Sequence, residues 1–230
     1  MKTIWLLWGM SWESSALYYE RINREVKKRL WWLHSAEILM HSVDFWTIEA
    51  LQHAWKWDEL TDIMIQNAQR LEACWADCVV ICTNTMHKMA QEVQKNISLP
   101  LIHIADATAE KIIQSGISKI ALLGTWFTMR EDFYKGRLRE KYYLDVLIPI
   151  EEEMNHVHRI IYDELCNGIV RDDSREIYKQ VIQSLKERWA EWVILWCTEI
   201  TMLISQSDSV LPVFDTTDIH ALACVDFSLL

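Results

Sequence analysis

The chain has 230 residues, which is enough for one large domain or for two small domains that each bury a core. Its formal net charge is −10 at pH 7, and this argues against a nucleic-acid partner because phosphate binding requires clustered Lys and Arg. No apolar run approaches the roughly 18 uninterrupted residues of a membrane span, and the N-terminal run is too short for a signal peptide, so we expect a cytoplasmic protein.

Strand-like and helical segments alternate along the chain. In the first half, strands are predicted at 3–7, 35–41, 77–82 and 99–101, and helices at 13–30, 58–73 and 85–95. In the second half, strands are predicted at 119–123, 145–148, 192–196 and 210–213, and helices at 106–115, 128–141, 151–166, 172–187 and 215–228. Nearly continuous apolar strands that alternate with helices predict an α/β fold, with parallel sheets covered by helices on both faces.

The repetition of this pattern predicts two domains. We expect the boundary near residue 100, with the C-terminal segment returning to the first half of the chain. The two domains would then comprise residues 1–100 plus 208–230 and residues 101–207.

The residues that directly follow four of the predicted strands are mostly small, hydroxylic, amide-bearing or thiol-bearing. They are Trp8-Gly9-Met10-Ser11, Cys82-Thr83-Asn84-Thr85, Gly124-Thr125 and Cys197-Thr198-Glu199. Open α/β sheets bind their ligands at the carboxyl ends of the strands. Hydroxyl groups and helix N-terminal amides at such an edge suit a small anionic ligand.

Two of these strand ends are built alike. The stretches VVICTNTMHK (79–88) and VILWCTEI (193–200) each consist of an apolar strand, a cysteine, a threonine and the start of a helix. A thiol at a helix N-terminus is expected to shift toward the thiolate, which is a capable base and nucleophile. Two similar ends from two halves of the chain are candidates to face one another across a cleft.

Six stretches together resemble the aspartate/glutamate racemase superfamily, in its cofactor-independent amino-acid racemase branch. They are LLWGMSWES (6–14), CTNTMH (82–87), HIADAT (103–108), ALLGT (121–125), WCTEI (196–200) and LPVFDTTDIHA (211–221). The stretches run from one end of the chain to the other. The resemblance therefore covers essentially the whole sequence.

The resemblance implies a fold, an activity and an assembly. The fold would be two similar α/β domains, each with a four-stranded parallel sheet flanked by helices, and an active site in the cleft between them. The activity would be inversion of the α-carbon of aspartate or glutamate without pyridoxal phosphate or any other cofactor or metal. The assembly would be a homodimer.

In typical members of this family, two cysteines exchange the α-proton, one on each face of the substrate. Cys197 matches the second of them, whereas Thr83 stands at the position of the first and Cys82 precedes it. Neighbouring residues of a strand point to opposite faces, so Cys82 is expected in the core if Thr83 faces the cleft. A hydroxyl is a far poorer acid or base than a thiol, so we expect unequal maximal rates from the two enantiomers.

The resemblance also implies a set of substrate-binding residues. Asn84 and Thr85 would hold the α-carboxylate, and Met10 would lie near the substrate. Gln52 falls where aspartate-specific relatives tend to place an arginine for the side-chain carboxylate. The second half of the cleft would be lined by Thr125, Thr198 and Glu199.

Simpler roles are expected for the other candidates. Cys74, Cys78, Cys166 and Cys224 are expected to be small core residues or free thiols, since free cysteine is among the most buried residue types. His87 is either a general acid paired with Thr83 or a supporting donor. Asp44, Asp106 and Asp215 precede helical patterns and are expected to be N-caps.

Two other functions remain open at this point. One is an isomerase or decarboxylase of another small acid within the same superfamily. The other is a non-catalytic protein that binds small acids, with the cleft obstructed by Trp8 and Trp196.

The chain contains 13 tryptophans and only 5 glycines. In relatives of this kind, glycine is expected at nine of the tryptophan positions: Trp5, Trp8, Trp31, Trp32, Trp55, Trp75, Trp189, Trp192 and Trp196. Three explanations are open: deliberate substitution, a sequence that does not give the true residues at these positions, or adaptation of the protein, with Trp8 and Trp196 filling part of the cleft. The mass of the intact protein tests the second.

Overall fold

The computed structural model describes residues 1–10 and 12–230, so Ser11 lies outside the described residues. In this part of the chain, the strands are β1 (Ile4–Trp8), β2 (Ile38–Ser42), β3 (Cys78–Ile81), β4 (Lys119–Leu123), β5 (Asp145–Leu147), β6 (Trp192–Leu195) and β7 (Val213–Asp215). The helices are α1 (Trp12–Leu30), α2 (Phe45–His53), α3 (Trp57–Glu72), α4 (Ala90–Lys95), α5 (Ile104–Gln114), α6 (Trp126–Arg130), α7 (Asp132–Tyr142), α8 (Glu151–Asp163), α9 (Asp172–Glu187), α10 (Ile200–Leu203) and α11 (Thr216–Ser228).

The chain divides into two compact units. The first consists of Met1–His103 and His220–Leu230, and the second of Ile104–Ile219. Each unit contains one sheet with every pair of neighbouring strands parallel, so the predicted α/β class with parallel sheets flanked by helices is confirmed. None of the described helices has the length and hydropathy to cross a bilayer.

The sheet of the first unit has the strand order β2-β1-β3, so the expectation of four strands is wrong for the described part of this unit. In the stretch 99–101, where a fourth strand was predicted, Leu101 forms only an isolated parallel bridge with Val79. The Val79 amide donates to Pro100, and the Ile102 amide donates to Val79. Pro100 has no amide hydrogen, which limits the extension of a ladder along this segment.

The sheet of the second unit has the order β5-β4-β6-β7. Its four strands match the number that the family resemblance implies. β7 pairs with β6 from Val193 opposite Val213 to Leu195 opposite Asp215. The segment 208–219, which the sequence pattern assigned to the first domain, therefore contributes its strand to the second sheet.

Each sheet is covered by apolar side chains on both faces. Along β6, Val193 and Leu195 pack into one core cluster with α8 and α9, whereas Ile194 and Trp196 pack into another with α5 and α7. This alternation is the period of two that a strand dictates. Because of this alternation, the position of a residue along a strand determines which face of the sheet its side chain covers.

Two predicted helices are interrupted, and one helix was not predicted. The segment predicted at 85–95 begins as a 3₁₀ turn before α4, and the segment predicted at 128–141 is broken at Glu131, whose backbone is extended. α2 was missed because only Ile48 and Gln52 of its nine residues are buried, which leaves no clear apolar stripe. Its predicted N-cap is confirmed, since the Asp44 carboxylate accepts from the Trp46 amide.

Five tryptophans have left-handed backbone conformations. Their φ angles lie between 56° and 71°, at Trp31, Trp32, Trp55, Trp75 and Trp189. All five side chains are exposed to solvent. Glycine enters this region without strain, whereas other residues rarely do, so the expectation of glycine at these positions agrees with the backbone.

Candidate active site

In the first unit, two neighbouring strands end at the same sheet edge with predicted site residues. β1 is followed by Gly9 and Met10, and β3 is followed by Cys82 and Thr83. Gly9 has a φ of 106°, and a Cβ at this position would collide with the carbonyl oxygen of Val43. Only glycine fits there, and the tight turn that it permits brings buried Met10 to this edge.

The two candidates for the first proton-transfer group lie in different environments. Cys82 is fully buried in the core cluster that also contains Cys78 and Val80 from the same face of β3. Burial raises the pKa of the Cys82 thiol well above its ordinary value, which disfavours the thiolate. Thr83 follows on the opposite face and is partly exposed. Of the two side chains, only that of Thr83 is accessible to solvent.

Polar side chains from two segments, the stretch after β3 and helix α2, are buried near this strand end. Asn84 is buried, and its Oδ1 atom has no hydrogen-bond partner within the described structure. Thr85 is also buried. Gln52 is buried on α2, where its Nε2 atom donates to Met86 Sδ at 3.2 Å. An amide oxygen without a partner costs free energy when buried, so Asn84 is suited to receive a donor from a ligand.

His87 supports the segment that contains Thr83. Its Nδ1 atom lies 2.8 Å from the backbone oxygen of Thr83, and because a carbonyl only accepts, Nδ1 carries the hydrogen. The ring is buried and packs against His103 and His220 with centroid distances of 4.7 and 5.6 Å. This contact is with the Thr83 backbone. It favours the supporting role for His87 over that of a general acid.

His220 occupies the centre of a buried hydrogen-bonded chain. Its Nε2 atom donates to the carbonyl of Ile102 at 2.7 Å, so its Nδ1 atom accepts from the Tyr18 hydroxyl at 2.8 Å. Burial lowers the pKa of His220 to about 4. The ring is therefore neutral at physiological pH, and it connects α11, α1 and the segment after Pro100.

In the second unit, the neighbouring strands β4 and β6 also end at one sheet edge. After β4, Thr125 is buried and forms the N-cap of α6, where its hydroxyl lies 3.1 Å from that of Thr128. After β6 come Trp196, Cys197, Thr198 and Glu199, of which Cys197 is partly exposed and the others are buried.

The thiol of Cys197 donates to a carboxylate. Its Sγ atom lies 2.8 Å from Glu199 Oε2, and the Thr198 hydroxyl donates to the same oxygen at 3.0 Å. Burial, and then the negative charge of Glu199, raise the pKa of Cys197 well above its ordinary value. The expectation that a helix N-terminus shifts this thiol toward the thiolate is therefore wrong. The following helix, α10, has only four residues, so its dipole is small.

Thr83 and Cys197 occupy equivalent positions in the two units. Each is the second residue after the last residue of its strand, Ile81 in β3 and Leu195 in β6. The residue between is fully buried in both cases, Cys82 in one unit and Trp196 in the other. Thr83, not Cys82, is thus the structural counterpart of Cys197.

The family model for Asp/Glu/hydantoin racemases matches residues 7–224. The chain belongs to this family. The resemblance inferred from the six sequence stretches is thereby confirmed, and the protein is an enzyme of the racemase class, whose members are isomerases.

Solved structures of similar chains support the membership in this racemase family. The chain is similar to a Yersinia pestis protein described as an Asp/Glu racemase, with 47% identity, full coverage of both chains and a TM-score of 0.95. It is also similar to an aspartate racemase homologue from Pyrococcus horikoshii OT3, with 33% identity, full coverage of both chains and a TM-score of 0.85.

A curated relative has a wider named specificity. The chain is 23% identical over 167 residues to the broad specificity amino-acid racemase of Bacillus subtilis (strain 168). The match covers 70% of this chain and 68% of that protein.

The side chain of Trp196 packs into the core of the second unit and is not exposed to solvent next to the Cys197 thiol. Its indole is fully buried, and its ring centroid lies 3.3 Å from that of Tyr134 on α7, closer than the spacing that aromatic pairs prefer. Trp196 Nε1 is buried without a hydrogen-bond partner in the described structure. A Cβ on Gly124 would lie 3.1 Å from this indole. These features indicate that a small residue would fit the position better.

Proposed function

We propose that the protein inverts the α-carbon of an acidic amino acid by cofactor-independent, two-base proton transfer. The observation that carries this proposal is the equivalence of Thr83 and Cys197, each two residues beyond a buried strand in a chain of the racemase family. Inversion requires that one group removes the α-proton from one face and that another delivers a proton to the opposite face. Both groups must therefore flank the same α-carbon.

The two groups differ in strength. A threonine hydroxyl is a poor base near neutral pH, whereas a thiolate is a capable one. Cys197 is therefore proposed to remove the α-proton efficiently from the enantiomer whose hydrogen faces it, and Thr83 to serve the other face slowly. Maximal rates from the L- and D-enantiomers are expected to differ, while the equilibrium between enantiomers stays at equality. Equal maximal rates from L- and D-aspartate would contradict the assignment of Thr83.

The remaining predicted site residues are proposed to hold the substrate. Thr85 is proposed to hold the α-carboxylate, as the resemblance implies, through its hydroxyl and backbone. Asn84 was expected to share this role, but its unpartnered amide oxygen is an acceptor and suits the α-ammonium group better. Met10 is proposed to lie near the substrate, and Thr125, Thr198 and Glu199 to line the second half of the site. A homodimer, as the resemblance implies, is proposed as the assembly.

Gln52 is proposed to face the side chain of the substrate. Gln52 is neutral and buried, and its amide can donate to a carboxylate without neutralising it. The named activities of the similar Asp/Glu racemase and aspartate racemase homologue favour a dicarboxylic substrate. The broad specificity of the Bacillus subtilis relative makes neutral amino acids a necessary part of any substrate panel.

Exchange of the α-proton with D₂O is the decisive test, because it reports proton removal even when the return step is slow. We expect loss of the α-proton signal in NMR spectra of aspartate or glutamate incubated with the protein. Cys197→Ser should lower the exchange rate by at least about 100-fold, since proton transfer by a positioned group contributes about 10²–10⁴-fold.

A matched cysteine provides the control for this experiment. Cys74 is exposed after α3, and Cys74→Ser removes a thiol outside the proposed site, so exchange should persist in that variant. Exchange that survives at full rate in Cys197→Ser would contradict the role of Cys197. The absence of exchange across the whole amino-acid panel would contradict racemisation and favour a non-catalytic binding protein.

A further inference from the structure

The two sheets have four edge strands in the described structure, and β2 is the least protected of them. The outer side of β3 is bridged by Leu101 at Val79, and β5 and β7 have three residues each, with Asp145 and Asp215 among them. Proteins protect open edges by a covering segment, by short length or by charge. β2 has five residues, Ile38–Ser42, and contains no proline, lysine, arginine or carboxylate. This edge is therefore open to another strand.

The backbone of β2 directs hydrogen-bonding groups away from its neighbour β1. The Val43 amide donates to the carbonyl of Trp8 at 3.0 Å, so every second residue before Val43 also bonds to β1. The residues between them, Ile38, Met40 and Ser42, direct their N–H and C=O groups to the open side. These groups form no hydrogen bond within the described part of the chain. They are available to a second strand.

The side chains of β2 expose apolar surface on both faces of the sheet. Leu39 is 36% exposed and Met40 is 50% exposed, and as neighbours in a strand they lie on opposite faces. Ile38 shares the face of Met40 and packs against the core cluster that contains Ile22 and Val26 of α1. An edge with open backbone groups and apolar side chains on both faces has the chemistry of a strand-pairing surface.

We propose that this edge is the surface through which a second copy of the chain binds, with β2 antiparallel to the partner's β2 and a twofold axis at Leu39. The inference rests on the homodimer of the proposed function and names the surface that forms it. The three-stranded sheets of the two first units then join into one continuous sheet. A twofold interface brings the same patch of each copy together, so the patch must be complementary to itself.

The sequence of β2 and its flank is self-complementary about Leu39. Leu39 lies opposite the partner's Leu39, and Ile38 lies opposite the partner's Met40. On the face of Leu39, Glu37 lies opposite the partner's His41. The outward-directed Ile38 and Met40 form the hydrogen-bonded pairs, and Leu39 takes the non-hydrogen-bonded position. Apolar residues thus oppose apolar ones, and an imidazole N–H opposes a carboxylate that accepts it.

A twofold axis one residue further on, at Met40, matches these residues less well. It also keeps the outward groups of the two strands opposite one another, so the backbone alone allows it. It places Leu39 opposite the partner's His41 and Ile38 opposite the partner's Ser42, so that apolar side chains face polar ones. The side chains therefore favour the axis at Leu39, since the hydrophobic pattern sets the register of paired strands.

Analytical ultracentrifugation of Leu39→Lys tests the surface. The substitution puts two ammonium groups opposite each other at the axis, so the dissociation constant of the dimer should rise by at least about 100-fold. Because Leu39 lies on an exposed edge, the protomer should keep its fold, which circular dichroism checks. Leu222→Lys is the matched control, since Leu222 on α11 is 38% exposed, and its dimer should be as stable as that of the wild type.

Two results of this experiment would overturn the proposal. One is a wild-type protein that stays monomeric at micromolar concentrations. The other is a folded Leu39→Lys variant that dimerises as tightly as the wild type, because the dimer would then use another surface.

Disulfide cross-linking tests the register and leaves the interface intact. In a Cys74→Ser background, which removes an exposed thiol, Leu39→Cys should form a cross-linked dimer upon oxidation by air with copper phenanthroline. Directly opposite residues of antiparallel strands have Cβ atoms about 4.5–5.5 Å apart, so their sulfur atoms can bond after a small movement. Met40→Cys in the same background should stay unlinked, because Met40 lies opposite Ile38. Cross-linking of Met40→Cys in place of Leu39→Cys, or of neither, would overturn the proposal.

Both measurements work without an amino-acid substrate, so they separate this inference from racemisation. A protein that dimerises through β2 but exchanges no α-proton would keep this interface and overturn the racemase proposal. A monomer that exchanges the α-proton would keep racemisation and overturn the interface.

Discussion

Each of the five tryptophans with a left-handed φ angle has a strained backbone conformation. For L-amino acids, the left-handed region costs roughly 1–2 kcal/mol per residue, because Cβ crowds the following carbonyl oxygen. Trp75 and Trp189 have φ angles of 61° and 71°, and their side chains are 91% and 79% exposed, so they gain little packing in return. Their conformations are set by the turns after α3 and α9.

Replacement of these tryptophans by glycine is therefore expected to stabilise the protein. Trp75→Gly and Trp189→Gly should each raise the free energy of unfolding by about 1 kcal/mol, measured by urea denaturation. Trp46→Gly is the matched control, because Trp46 is 77% exposed but lies within α2, where glycine costs about 0.5–1 kcal/mol. Stabilisation by all three substitutions, or by none, would contradict the argument from φ.

For individual residues, the sequence predicted which side chains follow the strands but not which of them form hydrogen bonds with one another. Cys197 and Thr83 could be selected because strand ends, the alternation of a strand and the family resemblance all point to them. The hydrogen bond from Cys197 to Glu199 could not be predicted, since it depends on the turn between residues 197 and 199. The raised pKa of Cys197 follows from that turn and from burial, and it reverses the expectation drawn from the helix start.

For helices and strands with a strong hydrophobic periodicity, the sequence predicted the first and last residues almost correctly. β4 and α9 have the predicted bounds, because their apolar spacing is complete and their neighbours are turn residues. α2 has too few buried residues to show a hydrophobic periodicity. The break at Glu131 was missed because the helical spacing of apolar residues continues across it. Local pattern therefore finds elements that bury a full face and misses those that do not.

His220 joins three elements through a neutral ring, and its pKa of about 4 has a consequence for acid stability. The unfolded chain titrates this histidine near 6.5, so between pH 6.5 and 4 it binds a proton that the folded protein does not. The free energy of unfolding should fall as the pH decreases through this window, by up to about 3 kcal/mol from this group.

The slope of stability against pH tests the role of His220. His220→Asn should be less stable at pH 7, because the bonds to Tyr18 and Ile102 are weakened, but its stability should depend less steeply on pH between 6.5 and 4. His34→Asn removes an exposed histidine and should retain the wild-type slope. Identical slopes in wild type and His220→Asn would show that the histidine does not contribute in this range.

On the scale of the whole molecule, the two units differ in how the chain builds them. The second unit is continuous from Ile104 to Ile219 and has core clusters on both faces of its own sheet. The first unit is discontinuous, because Ala221, Cys224 and Val225 from the C-terminal segment complete one of its core clusters. The sequence could predict two domains from repetition. It could not predict that β7 pairs with β6, because short apolar strands carry no signal for their partner.

This difference predicts unequal behaviour of the two units as fragments. Residues 104–219 should fold alone and show a cooperative thermal transition by circular dichroism. Residues 1–103 alone should not, since one face of the sheet loses Ala221, Cys224 and Val225 of α11 and keeps only α1 as its covering helix. A chain that joins 1–103 to 220–230 through a short flexible linker should restore the transition, because His220 lies within hydrogen-bond distance of Ile102. Cooperative folding of 1–103 alone would contradict this expectation.

The recurrence of tryptophan at left-handed turns has a consequence for translation. Among the described residues, six non-glycine residues have a left-handed φ, and five of them are tryptophan while the sixth is Tyr143. Independent mutations would not favour one residue type so strongly, whereas a single codon with a different meaning would. A codon that the translating ribosome reads as glycine, where another genetic code gives tryptophan, would produce this bias and would remove the crowding of Trp196 against Tyr134 in the same step. The protein would then be lighter than 27.3 kDa by the difference between an indolylmethyl group and a hydrogen at each such codon.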